Sequence, residues 1–161
     1  MVFAAGMIGG LLAAGLIAAS QTAVALELPE ALRAHIKDER FEIVTSIRGL
    51  PLGVRDGLQM LFGTGTLDIA ESGARFRETE VIGAANLPTR RLIVAGCSTD
   101  HCLVYYERGG KAHTWHVALL HWTPAATRFE WGGIAPRGLA SVDAVRKAAL
   151  SGAIKKSTEG W

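Results

Sequence analysis

Residues 91–131 read RLIVAGCSTDHCLVYYERGGKAHTWHVALLHWTPAATRFEW, and this stretch decides the fold. Three apolar runs, Leu92–Cys97, Cys102–Glu107 and Ala112–Trp122, are separated by turn-like clusters, and a fourth, Thr127–Trp131, follows Pro124. The runs are rich in Val, Ile, Leu, Tyr and Trp and too short and interrupted for one helix, so they predict an antiparallel meander. Arg108-Gly109-Gly110-Lys111 suits a two-residue hairpin, because both central glycines tolerate positive φ. That turn predicts Tyr106 opposite His113, Val104 opposite Trp115 and Leu103 opposite His116. The polar loop Ser98-Thr99-Asp100-His101 sets Cys97 opposite Cys102, where opposed Cα atoms about 4.5 Å apart permit a disulfide. Thr123-Pro124-Ala125-Ala126 turns the chain again and predicts Leu120 opposite Phe129 and Ala118 opposite Trp131.

On this register both faces of the sheet are apolar. Ala95, Cys97, Cys102, Val104, Tyr106 and Trp115 share one face, and Val94, Leu103, Tyr105, His116, Leu120 and Trp131 the other. A sheet with one wet face alternates between apolar and polar residues, and this one does not. It is therefore either covered on both sides or keeps one face for a partner.

Working outward, Pro29 to Arg40 predicts a helix, with Pro in its first turn and Glu30 at its positive end. Phe41–Ile47 reads as a strand. Leu52–Phe62 reads as a helix weakened by Gly53 and Gly57 and ended by Gly63-Thr64-Gly65. Thr66–Ala70 and Ala74–Ile82 predict a hairpin about Glu71-Ser72-Gly73, followed by a connector to Arg90. After a loop from Gly132 to Gly138, Ser141 caps a helix to about Leu150, with Asp143 in its first turn and Gly152 beyond its end. The tail to Trp161 is polar, with Trp161 able to dock. The expected fold is α+β: an antiparallel β-meander of about 5–7 strands with an N-terminal and a C-terminal helix packed on it.

Residues 1–25 carry no charged side chain, and Ala23-Val24-Ala25 is a small-x-small pattern, so a signal peptide is expected there although a basic n-region is missing. That leaves 26–161 as a single domain and places the chain in the periplasm or outside the cell, with no stable membrane insertion after signal removal. Export favours a structural Cys97–Cys102 disulfide, which on the chain-entropy model of so short a loop contributes about 2 kcal/mol. The chain has 17 Lys+Arg against 15 Asp+Glu, and that balance argues against nucleic acid as a partner.

No catalytic residue, cofactor or metal site is expected. Cys97 and Cys102 with Asp100 and His101 do not match a nucleophile–base or zinc spacing, and Ser98 lacks the G-x-S-x-G elbow. On one strand, His113 and His121 would lie about 26 Å apart with His116 pointing the other way. Only a partner from elsewhere, such as His35 or His101, could make them ligands. Ser72-Gly73-Ala74-Arg75-Phe76 resembles the S-G-A-R-Y segment of periplasmic inhibitors of c-type lysozyme. The Trp-x-Lys-Gly element that follows in that family is missing, and its small cysteine-bridged barrel differs from the helices read here, so no residue is carried over as a site.

Tyr and Trp carry interface energy, and the meander concentrates them beside turn-borne charges. The expected binding residues are Ser98, Thr99, Asp100, His101, Tyr106, Arg108, Trp115 and Trp122. The expected function is that of a small exported binding protein acting on an envelope protein partner, of inhibitor or immunity type. The alternative is an envelope enzyme or small-ligand carrier in which residues such as His116, Tyr105 and Arg75 converge in a pocket between sheet and helices.

Overall fold

Tyr105 and Tyr106 are neighbours in one strand, point to opposite faces, and are both fully buried. The sheet must therefore be covered on both sides, and it is. The structure, a computed structural model, describes residues 27–80, 86–157 and 160–161. The expected signal peptide and the Ile82 end of the expected 74–82 strand lie outside the described residues.

Five strands form one antiparallel sheet in sequence order: β1 (Glu42–Val44), β2 (Arg90–Cys97), β3 (His101–Arg108), β4 (Thr114–Trp122) and β5 (Thr127–Ala135). Helices α1 (Glu30–Asp38) and α3 (Val142–Leu150) share a core with Val94, Leu103, Tyr105, Val117, Leu119 and Trp131. Helix α2 (Leu52–Phe62) and Ile69 seal the other face over Leu92, Ala95, Val104, Tyr106, Ala118 and Leu120. The fold is α+β, with the sheet as the middle layer. The expected 41–47 strand is cut to β1, because Ser46 turns the chain into a 3₁₀ turn at Ile47–Gly49 by accepting from the Gly49 N–H. The 66–82 hairpin does not form among the described residues. Only the turn at Glu71 and a single parallel bridge, Ala70 with Arg91, remain of it.

The β3–β4 register differs from the expected one by three residues. Tyr106 lies opposite His116, Val104 opposite Ala118 and Leu103 opposite Leu119. An odd shift moves every β4 side chain to the other face. The cause is Gly109, which is spent on a tertiary contact. Its N–H bonds to the Thr89 carbonyl at 2.9 Å, and a Cβ there would stand 2.0 Å from the Arg77 carbonyl oxygen. The connection lengthens to Gly109–His113 as a result. Two bulges adjust the rest. Ile93 is extra in the β2–β3 ladder and Glu130 in the β4–β5 ladder, so Trp131 faces Leu119 while Leu120 still faces Phe129.

Gly53 and Gly57, unfavourable for helix formation, let α2 lie close to the sheet. A Cβ at Gly57 would sit 2.8 Å from both the Leu120 Cδ2 and the Thr127 Cγ2. Helix α3 starts as expected, with Ser141 Oγ accepting from the Ala144 N–H, and Gly152 follows it at φ 75°. Trp161 docks against Phe129, ring centroids 4.7 Å apart. Gly57→Val should lower unfolding free energy by about 1–3 kcal/mol in urea melts, the range for overpacking a filled site. Gly65→Ala, where a Cβ meets nothing within 4 Å, should leave it nearly unchanged.

Candidate functional site

The β2–β3 tip and the β4–β5 turn lie at the same end of the sheet, joined by the Trp122 N–H bonding to the Asp100 carbonyl at 2.8 Å. Cys97 and Cys102 face each other at the base of the tip, with their sulfurs at disulfide distance. Between them, Ser98 Oγ accepts from the His101 N–H at 3.1 Å, and the Ser98 N–H bonds to the His101 carbonyl at 2.7 Å. These bonds and the bridge hold the first residue of β3 in place.

His101 is 2 % exposed and points to the α1 face. It is opposite His121 on β4, and their ring centroids are 5.2 Å apart. Helix α1 adds His35, and its C-cap residue Glu39, four positions on, falls on the same face. Ile36, fully buried between them, anchors that end of the helix. Arg146 of α3 reaches over to satisfy the last carbonyls of α1, those of Ile36 at 2.7 Å, Lys37 at 2.6 Å and Glu39 at 3.4 Å. These carbonyls are the negative end of the helix, where a guanidinium is favourable.

Seven ionisable side chains meet here. His35 Nδ1 and His101 Nδ1 both face Glu39 Oε1, the first in a short contact and the second at 3.1 Å. Asp100 Oδ1 lies 2.9 Å from the same His101 nitrogen, and Asp100 Oδ2 lies 3.8 Å from His121 Nε2. Glu130 Oε2 lies 3.4 Å from His101 Nε2, while Arg128 holds Glu130 Oε1 at 2.7 Å. Ser98 Oγ donates to Glu39 Oε2. The ring of His35 overlies that of His101 with centroids 4.1 Å apart. Such a constellation can hold or relay protons, bind a cation, or present hydrogen-bonding groups to a partner.

Of the expected binding residues, Ser98, Thr99, Asp100, His101 and Trp122 gather at this end. Thr99 is exposed, Ser98, Asp100 and Trp122 are half-buried, and His101 is buried. Arg108 and Trp115 lie at the other end of the sheet, about 23 Å away at strand spacing. There His113 stacks on Trp115 at 4.5 Å and reaches Glu107 at 2.8 Å, and Arg137 covers Trp115. Tyr106 lies in the core, with Phe62 and His116 against its ring, and offers no surface. Of the residues expected to share a pocket, His116 and Tyr105 occupy opposite faces of the sheet and do not converge. His113, His116 and His121 are also apart, as expected, yet one outside partner considered for them, His101, stands beside His121, and the other, His35, packs on His101. Sequence reasoning missed Glu39 and Glu130. The i, i+4 spacing of His35 and Glu39 was the available signal.

A second buried polar group lies under α2. Arg90 pairs with Asp68 at 2.7 Å and lies 4.1 Å over the Phe62 ring. Burial pushes the Tyr106 hydroxyl up and the His116 imidazole down to about 4, with Arg108 and Arg90 adding to the latter. His116 keeps one hydrogen bond, Nε2 to Thr114 Oγ1 at 2.8 Å.

Comparison with protein-family models, curated proteins and solved structures finds no match to this chain. Among the described residues, no helix is long and apolar enough to cross a membrane.

The His116 environment has a pH signature. Its folded value lies below the ordinary 6.5, so between pH 6.5 and 4 the unfolded chain takes up a proton that the fold excludes. Stability should fall by on the order of 3 kcal/mol as pH drops through that window, and His116 should add no further slope below it. Urea melts of His116→Phe, which keeps a ring against Tyr106, should lack that component. Equal slopes for both proteins would show that His116 is not held neutral by the fold.

Proposed function

We propose that this chain is a small exported binding protein that acts by protein–protein contact, of inhibitor or immunity type, through the tip end of its sheet. The observation that carries this reading is an exposed apolar margin at that end. Leu52 and Met60 of α2, 65 % and 68 % exposed, flank a shallow groove of about 400 Å³ whose opposite wall is Trp122, Pro124 and Thr127. Large apolar side chains grouped beside a groove mark interaction sites more often than isolated ones do. The tip residues Thr99 and Asp100 adjoin this margin and supply polar groups for its rim. Packed layers on both faces leave the outer helix surfaces, the sheet ends and the loops as the surfaces able to act. The charge-free 1–25 segment and the cysteine pair support export.

The alternative, a small-ligand carrier or enzyme of the envelope, draws on a recess of about 470 Å³ at the opposite end. Its walls include Arg91, Tyr105, Glu107, Trp115 and Arg137. It opens to solvent between the sheet and the loop before α3, and it presents both signs of charge to a small polar ligand, with Arg91 paired to Glu107 at 2.6 Å.

Photo-crosslinkers placed at Thr99 and Met60 in the full chain, in its own cells, should capture one envelope protein, and a crosslinker at Lys147 on α3 should not. Combining Leu52→Asp with Met60→Asp should weaken that complex at least about 10-fold with unchanged thermal unfolding. Absence of capture from the tip, or capture indifferent to both substitutions, contradicts the reading.

A further inference from the structure

The donor atoms at the centre of the tip cluster are arranged as metal ligands. We propose that His35 Nδ1, Glu39 Oε1 and His101 Nδ1 form a three-ligand site for a divalent transition-metal ion of the zinc type, with a fourth position open to solvent on the His35 side. The three atoms lie within 4.8 Å of one another, and the His101–Glu39 separation is 3.1 Å. Ligands bound tetrahedrally at about 2.0–2.1 Å stand about 3.3 Å apart, so the His101–Glu39 pair is already at ligand spacing and the short His35–Glu39 contact must open to admit an ion. Two imidazoles and one carboxylate, with a free position, are a donor set that zinc accepts.

Glu130 supplies the independent observation. Its side chain is nine-tenths buried, and its Oε2 has no hydrogen-bond partner among the described residues. That oxygen faces His101 Nε2 at 3.4 Å, and it does so because Glu130 is the extra residue of the β5 bulge. An N–H on Nε2 directed at this carboxylate leaves the Nδ1 lone pair facing inward, the arrangement in which a carboxylate orients a metal-bound histidine. The inward lone pair then meets Glu39 Oε1 and, at 2.9 Å, Asp100 Oδ1. Three electron-rich atoms that close require a cation between them, either a proton or a metal. The charges match a divalent ion: Glu39, Asp100 and Glu130 carry three negative charges, Arg128 offsets one, and two remain.

The ligands are also held in place beforehand. Ser98 bonds the second oxygen of Glu39, Arg146 fixes the end of α1, and the cysteine pair closes the tip next to His101. His35 is the accessible ligand, with 42 % of its side chain exposed. The open position therefore faces outward, where water or a side chain of a partner can complete the coordination. The site stands whether or not the tip contacts a partner.

The test uses the full chain and two probes, Zn²⁺ by competition with a chromophoric chelator and Co²⁺ by its visible absorption. The expected result is one equivalent of Zn²⁺ bound, together with intense Co²⁺ bands of four-coordinate geometry. His35→Ala and Glu39→Gln should each weaken binding at least about 10-fold, as should Glu130→Gln through loss of the orienting carboxylate. His113→Ala, at the far end of the sheet, should bind as the parent does. His101 is buried and its loss risks the fold, so the more accessible His35 and Glu39 carry the test, with circular dichroism confirming that each variant is folded. Zn²⁺ binding should also shift the ring nitrogen resonances of His35 and His101 in the unaltered protein. Failure to bind a stoichiometric ion at micromolar concentration overturns the proposal. So does stoichiometric binding that His35→Ala and Glu39→Gln leave unchanged.

Discussion

The central strand β3 is apolar on both faces, and the rest of the molecule follows from covering it. Seven of its eight residues are buried. Neither face can be left to water, so the chain before and after the meander must supply two layers. Helices α1 and α3 form one, and α2 with Leu67 and Ile69 forms the other. Because α1 belongs to a layer, its C-terminal end is pinned against the sheet rather than free. That placement brings His35 and Glu39 to the start of β3. The cluster at the tip is thus a consequence of sealing the sheet.

Much of this architecture is legible in the sequence. The apolar runs, the opposed cysteines, the Ser141 cap and the 52–62 helix follow from local pattern and turn chemistry, which act over a few residues. The β3–β4 register does not. Gly109-Gly110 satisfies the local rule for a tight turn, but the contact of Gly109 with the Arg77 and Thr89 backbone is tertiary. No property of residues 108–111 announces it. Gly53 and Gly57 mislead in the same way. Read locally they weaken a helix, whereas in the fold they allow α2 to approach Thr127 and Leu120. Single-residue bulges at Ile93 and Glu130 then displace pairings that turn lengths alone would set.

The site was legible in part for the same reason. The polar tip Ser98–His101 stands out because it interrupts two apolar strands. His35 and Glu39 carry a visible helical spacing, but nothing in the sequence says that α1 ends over β3. Glu130 escapes notice because an acidic residue beside an arginine in an edge strand reads as a solvated surface. Its bulge turns it inward to His101. Tyr106 and Trp115 stand apart from the tip for two different reasons. The first is in the core because the sheet is sealed, and the second belongs to a different cluster at the opposite end, with His113 and Arg137.

The register is therefore the claim on which both the sealed sheet and the tip cluster stand. Ring-proton NOEs between selectively labelled histidines and tyrosines test it most directly, since the chain has only five His and two Tyr. The structure predicts contacts between His35 and His101, between His101 and His121, and between Tyr106 and His116, whose ring centroids lie 4.1, 5.2 and 5.4 Å apart. A Tyr106–His113 contact, with no contact between His101 and His121, would show the tight-turn register instead and contradict the account.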